Sequence, residues 1–109
     1  MFSKVSFLTA QEIANGAEKE GHRYLDTIQA RRFLFIDDLG VEALTVNNYG
    51  TQILPIVELL TYRYANMLPV VMTSNLSDSE IAKRYGERIA DRLREMCERV
   101  HFPGPSLRG

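Results

Sequence analysis

The sequence predicts an α/β layered fold with a largely parallel sheet. Three observations carry this reading. Apolar runs of strand length alternate with segments whose apolar residues recur at helical spacing, which is the pattern of βαβ units. Residues 32–37 are near-continuously apolar without alternation, which suits a strand covered on both faces. Two capping pairs, Thr9 with Glu12 and Ser77 with Glu80, mark helix starts. A hydroxyl and a carboxylate three residues apart satisfy two orphan backbone N–H groups.

The elements follow in order. Lys4-Val5-Ser6-Phe7-Leu8 is short and β-prone, and the first capping pair then opens a helix over residues 10–20 that breaks near Gly21. The apolar strand over residues 32–37 comes next. Beyond Gly40, the stretch through Asn47-Asn48-Tyr49-Gly50 reads as loop. From Ile53, the positions Ile53, Ile56, Val57, Leu60 and Tyr64 repeat with helical spacing, and Pro55 fits only in the first turn of that helix. Residues 68–72 form a second buried-type strand, with Pro69 tolerable only at its start. The second capping pair leads a short helix toward Tyr85-Gly86. Residues 87–98 make a charged amphipathic helix with Ile89, Leu93 and Met96 inward, and residues 100–102 read as a last strand before the turn Pro103-Gly104-Pro105.

The bulk numbers exclude several classes. At 109 residues, with 45% hydrophobic and 25% charged residues, the chain has the composition of one ordinary soluble domain or part of one. A net charge of -1 leaves no global electrostatic footprint for nucleic acid. One cysteine, Cys97, allows no internal disulfide and fits a reducing compartment. No apolar run approaches the ~20 residues of a membrane span, and the first residues lack a signal-peptide pattern. A cytoplasmic polypeptide is expected.

The candidate chemistry sits at strand ends. Ligands of parallel α/β sheets collect at the carboxyl ends of the strands, where Asp37, Asp38 and Asn75 fall. Four apolar residues closed by two acids is how a Walker B strand reads. One carboxylate there can hold Mg²⁺, usually through water, and a second can orient the water that attacks a γ-phosphate. A neutral Asn can position the same water without adding repulsive charge. Arg84, Arg88 and Arg92 recur every four residues, which would stack them along one helix face. Arg94–Glu98 and Glu95–Arg99 are spaced as i,i+4 ion pairs. His22 and His101 lack neighbours with metal-ligand spacing, Cys97 reads as a helix residue, and Tyr62, Tyr64 and Tyr85 read as packing against the sheet.

Four segments together carry a family resemblance. Phe33-Leu34-Phe35-Ile36-Asp37-Asp38-Leu39-Gly40, Arg63-Tyr64, Pro69-Val70-Val71-Met72-Thr73-Ser74-Asn75-Leu76 and Gly86-Glu87-Arg88-Ile89-Ala90-Asp91-Arg92-Leu93 resemble the DnaC/IstB-type AAA+ ATPases. These are helicase loaders and transposition helper ATPases. The resemblance covers residues 34–108. It implies a partial P-loop NTPase core spanning residues 1–109, a three-layer αβα sandwich with a sheet of three to four mostly parallel strands. It implies Asp37 as Walker B magnesium ligand, Asp38 at the position of the catalytic acid, and Asn75 as sensor 1. Arg92 is implied as the arginine finger, with Arg88 second, and Arg108 as a sensor-2-like contact to nucleotide. Leu107 stands where the family usually has an aromatic residue. ATP and Mg²⁺ would be the cofactors of an intact parent. Its partners would be further copies in a ring or filament, a replicative helicase or transposase, and DNA; no membrane partner is implied.

One departure outweighs the matches. The phosphate loop G-x-x-x-x-G-K-S/T occurs nowhere in these residues, so the backbone cradle and the cation for the β- and γ-phosphates are missing. The phosphate-loop strand would be absent from the sheet, leaving the strand over residues 68–72 with an unpaired edge. Two routes would cover that edge: residues 100–102 pairing there, or a second chain meeting it. This polypeptide alone is expected to bind ATP weakly or not at all. The other expectation is a non-catalytic remnant that docks on full-length relatives.

Overall fold

The structure, a computed structural model, describes residues 5–96. Its elements are β1 (Val5–Thr9), α1 (Ala10–Glu20), α2 (His22–Gln29), β2 (Phe33–Leu39) and β3 (Val46–Asn48), followed by β4 (Thr51–Ile53), α3 (Pro55–Ala65), β5 (Val70–Ser74), α4 (Asp78–Tyr85) and α5 (Glu87–Met96). The main sheet has the order β1-β2-β5, all parallel, with β2 central. β3 and β4 form a separate antiparallel hairpin. The α/β class and the parallel sheet are as predicted. The expected strand over residues 100–102 lies outside the described residues.

Both capping boxes are formed. The Thr9 hydroxyl accepts from the Glu12 N–H at 3.0 Å while Glu12 accepts from the Thr9 N–H at 2.9 Å. Ser77 and Glu80 repeat the arrangement at 3.2 and 2.8 Å. Pro55 is the first residue of α3, where its missing N–H costs nothing.

The sheet register sorts side chains by face. Ser6, Leu34 and Val70 form one row and Leu8, Ile36 and Met72 the next; Phe7, Phe35 and Val71 align on the opposite side. On the first face Leu34, Ile36 and Val70 are buried in one core with Ile13, Ala14 and Ala17 of α1 and Ile56, Leu59 and Leu60 of α3. Among the described residues no helix packs on the second face, where Phe7 is 70% exposed, Phe33 and Val71 41% each, and Phe35 half-buried. The continuous apolar run of β2 therefore does not mean two covered faces. Among the described residues there is one helical layer, and a second layer of an αβα sandwich is not found. The reason is the winding. The chain steps in one direction from β1 to β2 to β5, and right-handed crossovers, the rule for parallel strands, then lay the helices on one side.

Three further boundaries differ from the sequence reading. Helix α2 has no predicted counterpart, although Leu25 and Ile28, three apart, bury its inner face. Gly21, at φ 69, separates it from α1, a turn that L side chains rarely adopt. The segment read as loop is the β3–β4 hairpin, closed by Tyr49 and Gly50 at φ 48 and 92. Positive φ at both central residues matches the right-handed twist of the strands. Ile53 belongs to β4 and is buried there, so α3 begins two residues later than the periodicity suggests.

At the amino ends of the strands Arg63 of α3 is fully buried. Its guanidinium donates to the carbonyls of Arg31 at 2.7 Å, Arg32 at 3.1 Å and Pro69 at 2.6 Å. One side chain thus ties α3 to the starts of both β2 and β5. Burial lowers the Arg63 pKa from its ordinary value, because low-dielectric surroundings disfavour the cation.

Candidate functional site

The two acids sit in an irregularity that the sequence reading does not contain. Between the pairs Ile36–Met72 and Leu39–Ser74, β2 has two residues, Asp37 and Asp38, where β5 has only Thr73. This is a β-bulge, a device that re-aims side chains at sheet rims. Asp38 adopts φ 58, a left-handed conformation that Asp tolerates better than most residues. Both carboxylates are exposed as a result, and Leu39 returns to the core.

Thr73 holds the bulge together. Its hydroxyl accepts from the Asp38 N–H at 2.9 Å and donates to the Asp37 carboxylate. The next residue, Ser74, donates to the Leu39 carbonyl at 2.6 Å and accepts from the Leu76 N–H at 3.1 Å. Asn75 lies between these anchors, exposed, just past the end of β5. The structure therefore brings Asp37, Asp38 and Asn75 to one rim of the sheet, as predicted from their strand-end positions. Thr73 is the residue that sequence reasoning missed. Its signal was its place directly before Ser74-Asn75, opposite the acids.

The loop leaving β2 is fixed from below by a buried carboxylate. Gly40, at φ 113, turns the chain where a side chain would strike Leu76. Glu42, only 2% exposed, accepts from the Gly40 N–H at 2.8 Å and from the Tyr85 hydroxyl. Arg84 donates to the Glu42 carbonyl, and its guanidinium lies 3.8 Å from the Glu42 carboxylate. Burial first, then the hydrogen bond to Glu42, pushes the Tyr85 phenol above its ordinary range.

The arginine row is not a row. Helix α4 ends at Tyr85, and Gly86 at φ 102 breaks the axis, so Arg84 belongs to α4 while Arg88 and Arg92 belong to α5. Arg92 is half-buried with its guanidinium 5.0 Å from the centre of the Tyr64 ring, and Tyr64 donates to Glu95 at 2.9 Å. Tyr64 thus packs on α5 rather than on the sheet, Tyr62 is exposed, and only Tyr85 is buried. Because Tyr64 follows Arg63, Arg92 lies at the opposite end of the sheet from the acids. The structure does not bring Arg92 to Asp37. Arg88 is exposed one turn earlier. Arg94 pairs with Asp91, whereas the partners expected at positions 98 and 99 lie outside the described residues. So do Arg108, Cys97 and His101, and the side chain of Met96 is not described either. Ile89 and Leu93 are inward, as predicted.

The site offers two exposed carboxylates and a carboxamide on one rim. Among the described residues no group of three or more His, Cys, Asp or Glu is placed to hold a metal by itself. His22 pairs with Glu58 at 2.8 Å instead. A two-carboxylate rim does fit Mg²⁺, which binds through one or two carboxylates while keeping water and phosphate oxygens as its other ligands. A groove of about 570 Å³, lined by Tyr64, Ala65, Met67, Leu68, Pro69 and Glu95, lies at the other end of the sheet and shares no residue with this rim. No described helix is long and apolar enough to cross a membrane. No protein-family model matches the chain, and no curated protein matches it either.

Proposed function

We propose that these residues are the Walker B-to-sensor portion of a nucleoside triphosphatase of the DnaC/IstB kind. In an intact parent it would couple ATP hydrolysis to helicase loading or transposition, as a ring or filament on DNA. The observation that carries this is the bulged, acid-bearing centre of a parallel sheet. Asp37 and Asp38 form the bulge near the carboxyl end of β2, Asn75 follows the end of β5, and Thr73 fixes the rim.

Asp37 would hold Mg²⁺, whose charge would offset that of the phosphates. Asp38 is positioned by its backbone, through the N–H bond to Thr73, leaving its carboxylate free to orient a water. Asn75 adds a polar contact without charge. Arg92 lies too far along the sheet to serve this rim, so its role as a finger would be exerted on a neighbouring copy, where it would neutralise transition-state charge. Arg88 is the exposed second choice, and Arg108 would contact nucleotide in its own copy.

A second reading is favoured by one feature: these residues have acids for a nucleotide and no phosphate loop to offset them. Here the chain is a non-catalytic interaction module that associates with intact relatives. The intact mass of the native protein from its source cells, with N-terminal sequencing, separates the two. A mass near twice 12.4 kDa, with the phosphate-loop motif read upstream of Met1, supports the ATPase. A native mass of 12.4 kDa removes catalysis and leaves the interaction module. For the chain as it stands, titration with Mg-ATP should give no saturable binding at micromolar concentration.

A further inference from the structure

A threonine hydroxyl has one proton to donate and lone pairs to accept with. At Thr73 its partners fix how they are used. A backbone N–H can only donate, so the 2.9 Å contact with the Asp38 N–H takes a lone pair of the hydroxyl oxygen. An ionised carboxylate can only accept, so the one proton goes to Asp37 Oδ1. The bulge holds that N–H in place, with the Asp38 backbone at φ 58, and the hydroxyl is thereby aimed. Thr9, the register neighbour of Asp37 on β1, uses its own hydroxyl oxygen to cap α1, accepting from the Glu12 N–H at 3.0 Å. Among the described residues, the Asp37 carboxylate takes its hydrogen bond from Thr73 and not from Thr9.

We propose that Thr73 is a positioning residue that sets cation selectivity at this rim. Its hydroxyl commits one oxygen of Asp37, so the carboxylate offers a divalent cation a single oxygen and favours Mg²⁺ over Ca²⁺. The inference rests on the reading of Asp37 as the Mg²⁺ ligand.

The two cations make different demands. Ca²⁺ gathers about six to eight oxygens and readily takes a carboxylate through both of its oxygens. Mg²⁺ is smaller, requires near-octahedral geometry, and keeps several waters beside one or two carboxylates. A carboxylate with one oxygen committed to a hydroxyl meets the second demand and not the first. The two acids are also made unequal: Asp37 is held through its carboxylate, Asp38 through its backbone N–H. Both are exposed, so solvent can complete the shell of Mg²⁺, and the hydroxyl decides how Asp37 binds.

The test follows the backbone amides of Asp38 and Asn75 by two-dimensional NMR of the whole chain, without nucleotide, in separate titrations with magnesium and calcium chloride. Shifts at these amides report this rim rather than acidic side chains elsewhere. Expected are saturable shifts, an affinity for Mg²⁺ at least equal to that for Ca²⁺, and loss of both responses in Asp37→Asn. Thr73→Val keeps the shape and removes the hydroxyl; freeing the second oxygen should move the affinity ratio about fivefold toward Ca²⁺. Thr73→Ser keeps the hydroxyl and should leave the ratio unchanged. The ratio is the readout because a merely loosened bulge would weaken both cations together. Thr73→Ala, which also lacks the hydroxyl, stands in if Thr73→Val does not fold. An unchanged ratio in the variant without the hydroxyl, or an equal shift in Thr73→Ser, would overturn the selectivity role and leave Asp37 as a ligand. A parent chain that prefers Ca²⁺ would overturn it as well. No saturable shift, or shifts that persist in Asp37→Asn, would overturn the reading of the rim as a cation site and this inference with it.

Discussion

The two ends of the β2–β5 pair treat charge in opposite ways. At the amino end a full positive charge, Arg63, is buried and spent on three backbone carbonyls. At the carboxyl end two negative charges, Asp37 and Asp38, are lifted out of the sheet by a bulge and left in solvent. The first arrangement can only hold strands together, since every bond it makes is internal. The second stores no comparable stability and leaves carboxylate oxygens available to a ligand. Structure and chemistry thus occupy opposite ends of the same two strands, and substitutions should separate them.

The amino end should show the largest effect. Arg63→Ala removes the donor for three carbonyls and opens a cavity under α3, and each buried polar group left unpaired costs about 1–3 kcal/mol. A loss of about 3–5 kcal/mol is expected in urea unfolding, a large share of the 5–15 kcal/mol that holds a domain this size. Arg63→Lys keeps the charge but not the planar fork, so it should recover only part of the loss. An alanine variant as stable as the parent chain would show that the strut adds nothing.

Between the ends, the Glu42 cluster should give an intermediate result. Glu42→Ala strands the Gly40 N–H and the Tyr85 hydroxyl and removes the carboxylate 3.8 Å from the Arg84 guanidinium, whose bond to the carbonyl of residue 42 survives; it should cost about 2–3 kcal/mol. The same cluster sets a pH signature. Burial and Glu42 raise the folded-state pKa of Tyr85 above the ordinary 10.0, so the neutral phenol is favoured by folding. Its contribution is fully present below pH 10.0 and is lost as pH rises through the higher folded-state value. Tyr85→Phe should remove this alkaline step from a stability-against-pH curve, and a curve of unchanged shape would refute it.

What could be read in the sequence differs between these regions for physical reasons. Capping pairs and strand ends are local, so both helix starts and the rim position of Asp37, Asp38 and Asn75 were legible. Burial is not local. The apolar run of β2 looked doubly covered because composition records hydrophobicity and not which neighbours arrive; Phe33 and Phe35 are as apolar as Leu34 and Ile36 yet face outward. The four-residue spacing of Arg84, Arg88 and Arg92 failed at one glycine, Gly86, whose positive φ ends the helix between them. Tyr49-Gly50 hid a hairpin because a tyrosine is an unusual occupant of a left-handed turn position. The bulge was invisible for a related reason: it is a relation between two strands, set by Thr73 as much as by the acids.

The carboxyl end should show the smallest effect, and of the opposite sign. Asp38 occupies φ 58, which costs an L residue free energy that glycine does not incur. Its carboxylate is exposed, so removing the side chain strands no buried partner, and the backbone N–H bond to Thr73 survives the change. Asp38→Gly should therefore stabilise the chain by up to about 1 kcal/mol, after the added freedom of the unfolded glycine is subtracted. Asp38→Ala, which keeps a Cβ in the left-handed region, should destabilise it. A melting series ordered Gly above Asp above Ala would mean that Asp38 is held in its conformation against its own preference, as residues at functional rims often are. The order Asp above Gly would mean instead that the carboxylate supports the bulge, and the division between a structural end and a chemical end of these strands would fail.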